Sequence, residues 1–382
     1  MTFRFGPGTT VGAMAERVTI LGDGAMATVC SILLTQNGHD VTMWGAFEES
    51  IERLIQDREQ RRLLPGVSVP QNVRLTANDS ESFAGASMIL SAIPTQFMRG
   101  VWERLRPHVP AGVSIVSVAK GIETTSLLRP TQVIADVLWG RQAEVGRDGV
   151  GSDGVETSSP RHAVTPSRRH DLLAALSGPN IAGEIARYLP ATAVAASSDP
   201  ELVQRVQVTF ATDWFRVYTN DDVIGVEVAG AVKNVIALAA GILDGLGAGN
   251  NAKAALVTRG LVEIARLGAA MGAKEDTFNG LAGVGDLITT CVSPEGRNRR
   301  VGEQIGKGRK LQEILDQMDS VAEGVPTTKA VKELARRYDV AMPITDAVYS
   351  VLFEEKDVLT ALTELMTRDP KPERADEPRP AQ

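Results

Sequence analysis

The sequence predicts an α/β protein in two parts, an N-terminal Rossmann-type doubly wound sheet followed by an all-helical C-terminal domain. Three observations carry that reading. An apolar strand runs into Gly22-Asp-Gly24-Ala-Met-Ala27 and a helix-compatible stretch, and a second strand follows. Strand and helix patterns then keep alternating to about residue 221. From Asp222 onward, periodic apolar helices take over and no further strand is persuasive. At 382 residues the chain is long enough for two domains, each with its own core.

Taken in order, residues 1–16 read as a flexible extension. Arg17-Val-Thr-Ile-Leu21 is the first strand, the run to Leu34 is a helix closed by Asn37-Gly38, and Asp40-Val-Thr-Met-Trp44 is the second strand. The turn between strand and helix reads G-x-G-x-x-A. There Gly22 makes the tight bend, Gly24 lets a pyrophosphate approach the backbone, and Ala27 permits close helix–strand packing. The helix N-terminus offers free N–H groups to the anion, with Ala25 and Met26 beside it. Ser87–Ser91 is a strand ending at Pro94, a helix lies near 95–106, and Val113–Ala119 is another strand. That order implies a parallel sheet, and it places Lys120-Gly121 at the carboxyl edge where open sheets bind ligands.

Gly, Ser, Arg and Pro crowd residues 140–170, which read as a mobile insertion. At Leu176-Ser-Gly178-Pro-Asn180 order resumes in a turn that opens a helix, with Asn180 as its expected N-cap and a second anion site at its start. Ala191–Ala196 and Phe215–Tyr218 read as the last strands of the dinucleotide-binding domain, 17–221. Helices are expected at 223–243, 252–271, 299–306, 311–318, 327–338, 344–353 and 357–366, making 222–366 the substrate domain. Residues 367–382 read as a disordered tail.

Composition narrows the function. Net charge is −7, which speaks against a nucleic-acid surface, and charged residues are an ordinary 23%. Cys30 and Cys291 are too few for a disulfide framework, and scattered Cys and His exclude a catalytic zinc site. No stretch of about 18 apolar residues is free of charge and glycine, and the first sixteen lack the apolar core of a signal peptide. The expectation is a cytoplasmic protein without a membrane span.

The four histidines all precede the helical part, so no histidine base is available from it, and no tyrosine is followed by lysine at the fourth position. Lysine or carboxylate is left to handle a proton near a nicotinamide. Lys233 is the best placed, in the apolar run Val223–Leu243 behind the capping pair Asp221-Asp222. Asn234 stands beside it, and Asp286 lies in the turn Gly283-Val-Gly285-Asp286. As an ammonium, Lys233 could polarise a carbonyl and protonate the alkoxide after hydride arrives. Arg297-Asn298 opens a helix after a Pro-Glu-Gly turn, a combination suited to a phosphate monoester.

Together these segments resemble the NAD(P)-dependent glycerol-3-phosphate dehydrogenases over about residues 17–366. The most specific stretches are Leu176–Asn180, Gly225–Asn234, Asp244–Ala255, Thr258-Arg-Gly260, Gly280–Leu287 and Arg297-Asn298. The resemblance implies reversible reduction of dihydroxyacetone phosphate to sn-glycerol 3-phosphate, a phospholipid precursor, by a homodimer, with Lys233 as proton donor. It sets Lys120, Gly178, Asn180, Asn234, Asp286, Thr290, Gly296, Arg297 and Asn298 around the substrate. It sets Gly22, Gly24, Ala25, Met26, Lys120, Ala182, Arg297, Val321 and Glu323 against the cofactor. The alternatives are a lysine-dependent reductase of a different phosphorylated or carboxylated ketone, and a non-catalytic NAD(P)-binding regulator. The chain departs from the family pattern at Ala25-Met26-Ala27, Ala46, Asn180 and Gly296. No acid follows Trp44 until Glu48, and Ala46 replaces the family's basic residue. Both NAD and NADP are therefore expected to serve, with discrimination of only about tenfold, roughly 1.4 kcal/mol. The resemblance adds a slight lean to NADPH.

Overall fold

The computed structural model describes residues 15–140, 169–318, 320–370 and 372–373. Most of the insertion expected at 140–170, most of the N-terminal extension and the end of the tail lie outside them. Glu16 is described, and it is tied down: Arg205 Nε donates to its Oε1 at 2.6 Å, and its own N–H donates to His39 Nδ1 at 3.0 Å.

One eight-stranded sheet organises the N-terminal part. Its strands are β1 (Arg17–Leu21), β2 (Asp40–Trp44), β3 (Arg74–Thr76), β4 (Met88–Ser91), β5 (Ser114–Ser117), β6 (Leu173–Ser177), β7 (Ala191–Ala196) and β8 (Phe215–Asn220). They lie in the order β3-β2-β1-β4-β5-β6-β7-β8. Helix α1 (Ala25–Gln36) packs Val29, Cys30 and Leu33 on the face carrying Val18 and Ile20. Helices α3 (Thr95–Leu105) and α4 (Pro130–Trp139) cover the face carrying Leu21, Trp44 and Ile89. Between β2 and β3 the sequence reading passed over α2 (Glu48–Asp57), a polar helix that buries only Ile51 and Leu54.

The sheet is parallel as expected except at one pairing near its edge. β6 pairs with β7 antiparallel, and β8 then runs parallel to β7. Between β6 and β7 the chain makes only the five-residue helix α5 (Ala182–Ala186), too little to cross the face and re-enter from the amino edge. β7 therefore starts at the edge where β6 ended. α6 (Pro200–Phe210), capped by Asp199, then makes the crossover that leaves β8 parallel to β7.

The expected cap at Asn180 is also corrected. The N-cap of α5 is Ile181, and no side chain caps it. With its amide nitrogen turned to the acceptors, Asn180 instead donates to Pro179 O at 3.2 Å and Thr192 O at 3.0 Å. The start of α5 thus keeps its first N–H groups free of any side-chain cap.

The C-terminal part is helical throughout and built around α7 (Val223–Leu246). Asp222 caps it, accepting from Gly225 N at 2.8 Å, and Gly247 ends it at φ +68°. Around it lie α8 (Gly249–Ala270), α9 (Asp286–Val292), α10 (Arg297–Gly306), α11 (Leu311–Leu315), α12 (Gly324–Arg337), α13 (Pro343–Phe353) and α14 (Val358–Met366). By length and composition α7 is the one described helix able to cross a membrane, yet 83% of its apolar window is buried inside the molecule. Its apolarity serves the core.

Candidate active site

The site is assembled where α7 passes the carboxyl edge of β5 and β6. Lys233 on α7 is only 5% exposed. Its ammonium lies 3.0 Å from Asp286 Oδ1 and also donates to Thr290 Oγ1. Desolvation lowers its pKa to about 8, the carboxylate of Asp286 opposes that fall, and the positive charge of Lys120 adds to it. A buried lysine held near neutrality is suited to general acid–base work.

Asp286 joins two lysines. Its Oδ2 accepts from Lys120 Nζ at 2.7 Å, and the same nitrogen donates to Gly178 O at 2.7 Å. Gly230 makes room for this arrangement, because a Cβ there would stand 3.1 Å from Ser177 Oγ and 3.5 Å from Lys120 Cγ. Asp286 is delivered by a π-turn over Leu281–Gly285, which folds back so tightly that a Cβ on Gly283 would meet Phe278 O at 2.0 Å. Neither the π-turn nor α9 was read from the sequence, although Asp286 itself was.

A chain of amides fixes the lysine loop. Asn298 Nδ2 donates to Asn234 Oδ1 at 2.9 Å, and Asn234 Nδ2 donates to Lys120 O at 2.9 Å. Gly324 N in turn donates to Asn298 Oδ1 at 2.9 Å. Asn234 and Asn298 thus act here as orienting groups, both buried. Gly296 is the N-cap of α10 and leaves the helix start without a side-chain cap. Arg297 follows, exposed and with no hydrogen bond or salt bridge to a described residue; its charge lowers the pKa of Glu323, which burial raises.

The cofactor residues expected from the sequence lie at turns and at the starts of helices. Gly22 has φ +119°, and a Cβ there would press on Ala92 O at 3.0 Å. Gly24 caps α1 without any side-chain bond, so the first N–H groups of the helix, at Ala25 and Met26, are open to a ligand. Met26, Lys120 and Asn180 border one small hollow. Glu323 accepts from Thr95 N at 2.6 Å, joining α12 to α3, while Val321 is 36% exposed at the rim and Ala182 opens α5.

Three hydroxyls went unnoticed in the sequence: Thr95 Oγ1, Ser177 Oγ and Thr327 Oγ1 are buried without a hydrogen-bond partner. A Cβ on Gly121 would stand 2.6 Å from Thr95 Oγ1 and 3.4 Å from Thr327 Oγ1. Buried hydroxyls left unpaired call for an explanation, and a polar ligand is one. Thr95 and Ser177 end or follow strands at the carboxyl edge, the one signal that could have singled them out. The glycine cradle, the uncapped helix start and these orphaned hydroxyls all fit a dinucleotide.

Comparison with known proteins agrees with this geometry. Residues 17–146 match the profile of the NAD-dependent glycerol-3-phosphate dehydrogenase N-terminus, and residues 222–363 match that of its C-terminus. The chain belongs to the NAD-dependent glycerol-3-phosphate dehydrogenase family. Within the family it is 45% identical over 356 residues to the glycerol-3-phosphate dehydrogenase (NAD(P)+) of Prosthecochloris aestuarii, spanning 93% of this chain and 99% of that one. The enzyme of the same name from Geobacter sulfurreducens is 44% identical over 361 residues, spanning 94% and 100%. The crystal structure of the Coxiella burnetii glycerol-3-phosphate dehydrogenase superposes with a TM-score of 0.81 at 32% identity, covering 93% of this chain and 99% of that one.

Proposed function

We propose that this family member reduces dihydroxyacetone phosphate reversibly to sn-glycerol 3-phosphate, with either NADPH or NADH as reductant. One observation carries the reading: a buried lysine with a pKa near 8 shares a carboxylate with a second lysine, at the edge of a dinucleotide fold. A bound nicotinamide would supply the hydride. Lys233 then gives its proton to the oxygen that becomes the alcohol, and takes it back in the oxidative direction. Asp286 holds that ammonium in place and, with Thr290, keeps it from turning away. Lys120 sits 2.7 Å from the same carboxylate and adds positive charge beside the polarised oxygen.

Arg297, exposed at the open start of α10, is the group free to take a phosphate monoester, its fork matching the oxygens and the helix N–H groups completing the cradle. Gly22, Gly24, Ala25 and Met26 would hold the pyrophosphate, and Glu323 with Thr95 would border the nicotinamide. The product is a head-group precursor for glycerophospholipids. The setting that accompanies this reading is a homodimeric enzyme of the cytoplasm.

The test is to follow oxidation of NADPH and NADH with dihydroxyacetone phosphate beside unphosphorylated dihydroxyacetone and a panel of carboxylated ketones. Efficient turnover of dihydroxyacetone phosphate alone supports the proposal. Preference for a carboxylated ketone would replace it with a neighbouring reductase, and no turnover of any ketone would leave a binding protein.

A further inference from the structure

Dinucleotide folds read the adenosine ribose at the end of the second strand, about 20 residues beyond the middle glycine. Here β2 ends at Trp44, and the loop that follows presents Gly45 and Ala46, whose side chains offer no polar group. Helix α3 brings one from elsewhere. Arg104, on its last turn, lays its guanidinium 5.2 Å from the centroid of the Trp44 ring and donates from Nη1 to Ala46 O at 3.0 Å. It also grips Asp79 in a two-pronged pair, Nε to Oδ2 at 2.7 Å and Nη2 to Oδ1 at 2.8 Å. Asp79 is fixed in turn by Trp44 Nε1 at 3.1 Å.

That pairing leaves one N–H free on each terminal nitrogen, on a side chain still 44% exposed. Two neighbouring ionic side chains make contacts of their own. Asp23, inside the dinucleotide turn, accepts from Ser50 Oγ at 2.5 Å, and Arg53 Nε donates to Glu49 O at 3.1 Å. Arg104 is thus a stacked, oriented guanidinium at the place where a 2′-phosphate would arrive, and it carries a carboxylate partner that offsets its charge.

We propose that Arg104 is the partner of the NADPH 2′-phosphate in this chain, and that Asp79 holds the preference for NADPH small. The inference rests on the dinucleotide reading above and gives a physical reason for weak discrimination. With Asp79 in place the pair is neutral, so a ribose hydroxyl is tolerated and a 2′-phosphate gains only the two remaining N–H groups.

Calorimetric titration of the full chain with adenosine 2′,5′-bisphosphate and with 5′-AMP tests it, because the two differ only in the 2′-phosphate. Arg104→Gln is expected to weaken the bisphosphate about tenfold or more and leave 5′-AMP within about twofold. Asp79→Asn is expected to tighten the bisphosphate several-fold and likewise spare 5′-AMP. Equal weakening of both ligands by Arg104→Gln would show that Arg104 only props the loop, and no change in either would remove it from the site; both overturn the proposal. Neither probe contains a nicotinamide or a ketone. A protein that binds the bisphosphate through Arg104 yet leaves dihydroxyacetone phosphate unreduced would sink the proposed reaction and leave this assignment standing.

Discussion

Lys233 carries its charge where burial makes charge expensive, and Asp286 is what keeps the protonated form within reach. Desolvation moves the pKa down to about 8, so the ammonium needed for ketone reduction is lost as pH rises through that value. kcat/KM for reduction is expected to fall above pH about 8 and that for alcohol oxidation to rise across the same range, as pH–rate profiles would show. Lys233→Ala should lower turnover by about 10² or more with dinucleotide affinity nearly unchanged, consistent with loss of a general acid. Turnover within threefold of the parent would take Lys233 out of the mechanism. For Arg297→Lys, weaker use of dihydroxyacetone phosphate is expected although the charge is kept, because lysine lacks the planar fork. An equal loss on unphosphorylated dihydroxyacetone would give Arg297 a different role. At this scale the sequence was informative about the chemistry, since an isolated lysine in an apolar helix stands out. It was silent on Thr95, Ser177 and Thr327, because small hydroxyls are common and only burial without a partner makes them unusual.

Between elements, the site depends on how closely α7 and α10 approach. A Cβ on Gly241 would stand 1.9 Å from Arg299 O, and one on Gly302 would stand 2.0 Å from Leu238 O. Backbone meets backbone at that crossing, and it sets Asn298 against Asn234 a turn or two away. Gly302→Ala should therefore cost more than the ~1–3 kcal/mol usual for overpacking and lower activity as well, read by denaturant unfolding beside kinetics. A variant as stable and active as the parent would show that the helices can part without harm. A second expectation concerns Glu263 on α8, which accepts from Ile344 N at 2.7 Å and Thr345 N at 3.2 Å and so caps α13. Desolvation raises its pKa to about 7 against these bonds. A raised carboxyl stabilises the fold most below pH about 4.5 and loses that contribution as pH climbs through 7. Glu263→Gln should flatten this part of the stability curve between pH 5 and 8, and an unchanged slope would refute it. Period and caps made these helices legible from the residues. The reversal of β7 was not, because strand direction depends on where a connection can end and not on the strand's own pattern.

For the molecule as a whole, buried polar contacts join the N-terminal part to α7 beside the apolar cluster that Ile122, Ala175 and Val194 share with it. Glu227 on α7, 4% exposed, takes Arg129, Thr131 N and Thr131 Oγ1 from the start of α4. Glu227→Leu should destabilise the protein by roughly 3–5 kcal/mol by stranding Arg129, and Arg129→Met added to it should recover a large part of that loss. A double variant no better than the single one would mean that the carboxylate matters through Thr131 instead. Domain order and the carboxyl-edge site could be read from the alternation of strands and helices, whereas contacts such as Glu227 with Arg129 join residues with no sequence pattern in common. The sharing of Asp286 has a last consequence for the cleft. Lys120 and Lys233 share Asp286, Arg297 faces Glu323, and Lys233 is partly deprotonated near pH 8. A doubly charged phosphate ester entering that field favours the ammonium form, so the enzyme should draw a proton from solution as its substrate binds. Titrations at pH 8.5 in buffers of different ionisation enthalpy would register that uptake as a heat that varies with the buffer, and Lys233→Ala should abolish it.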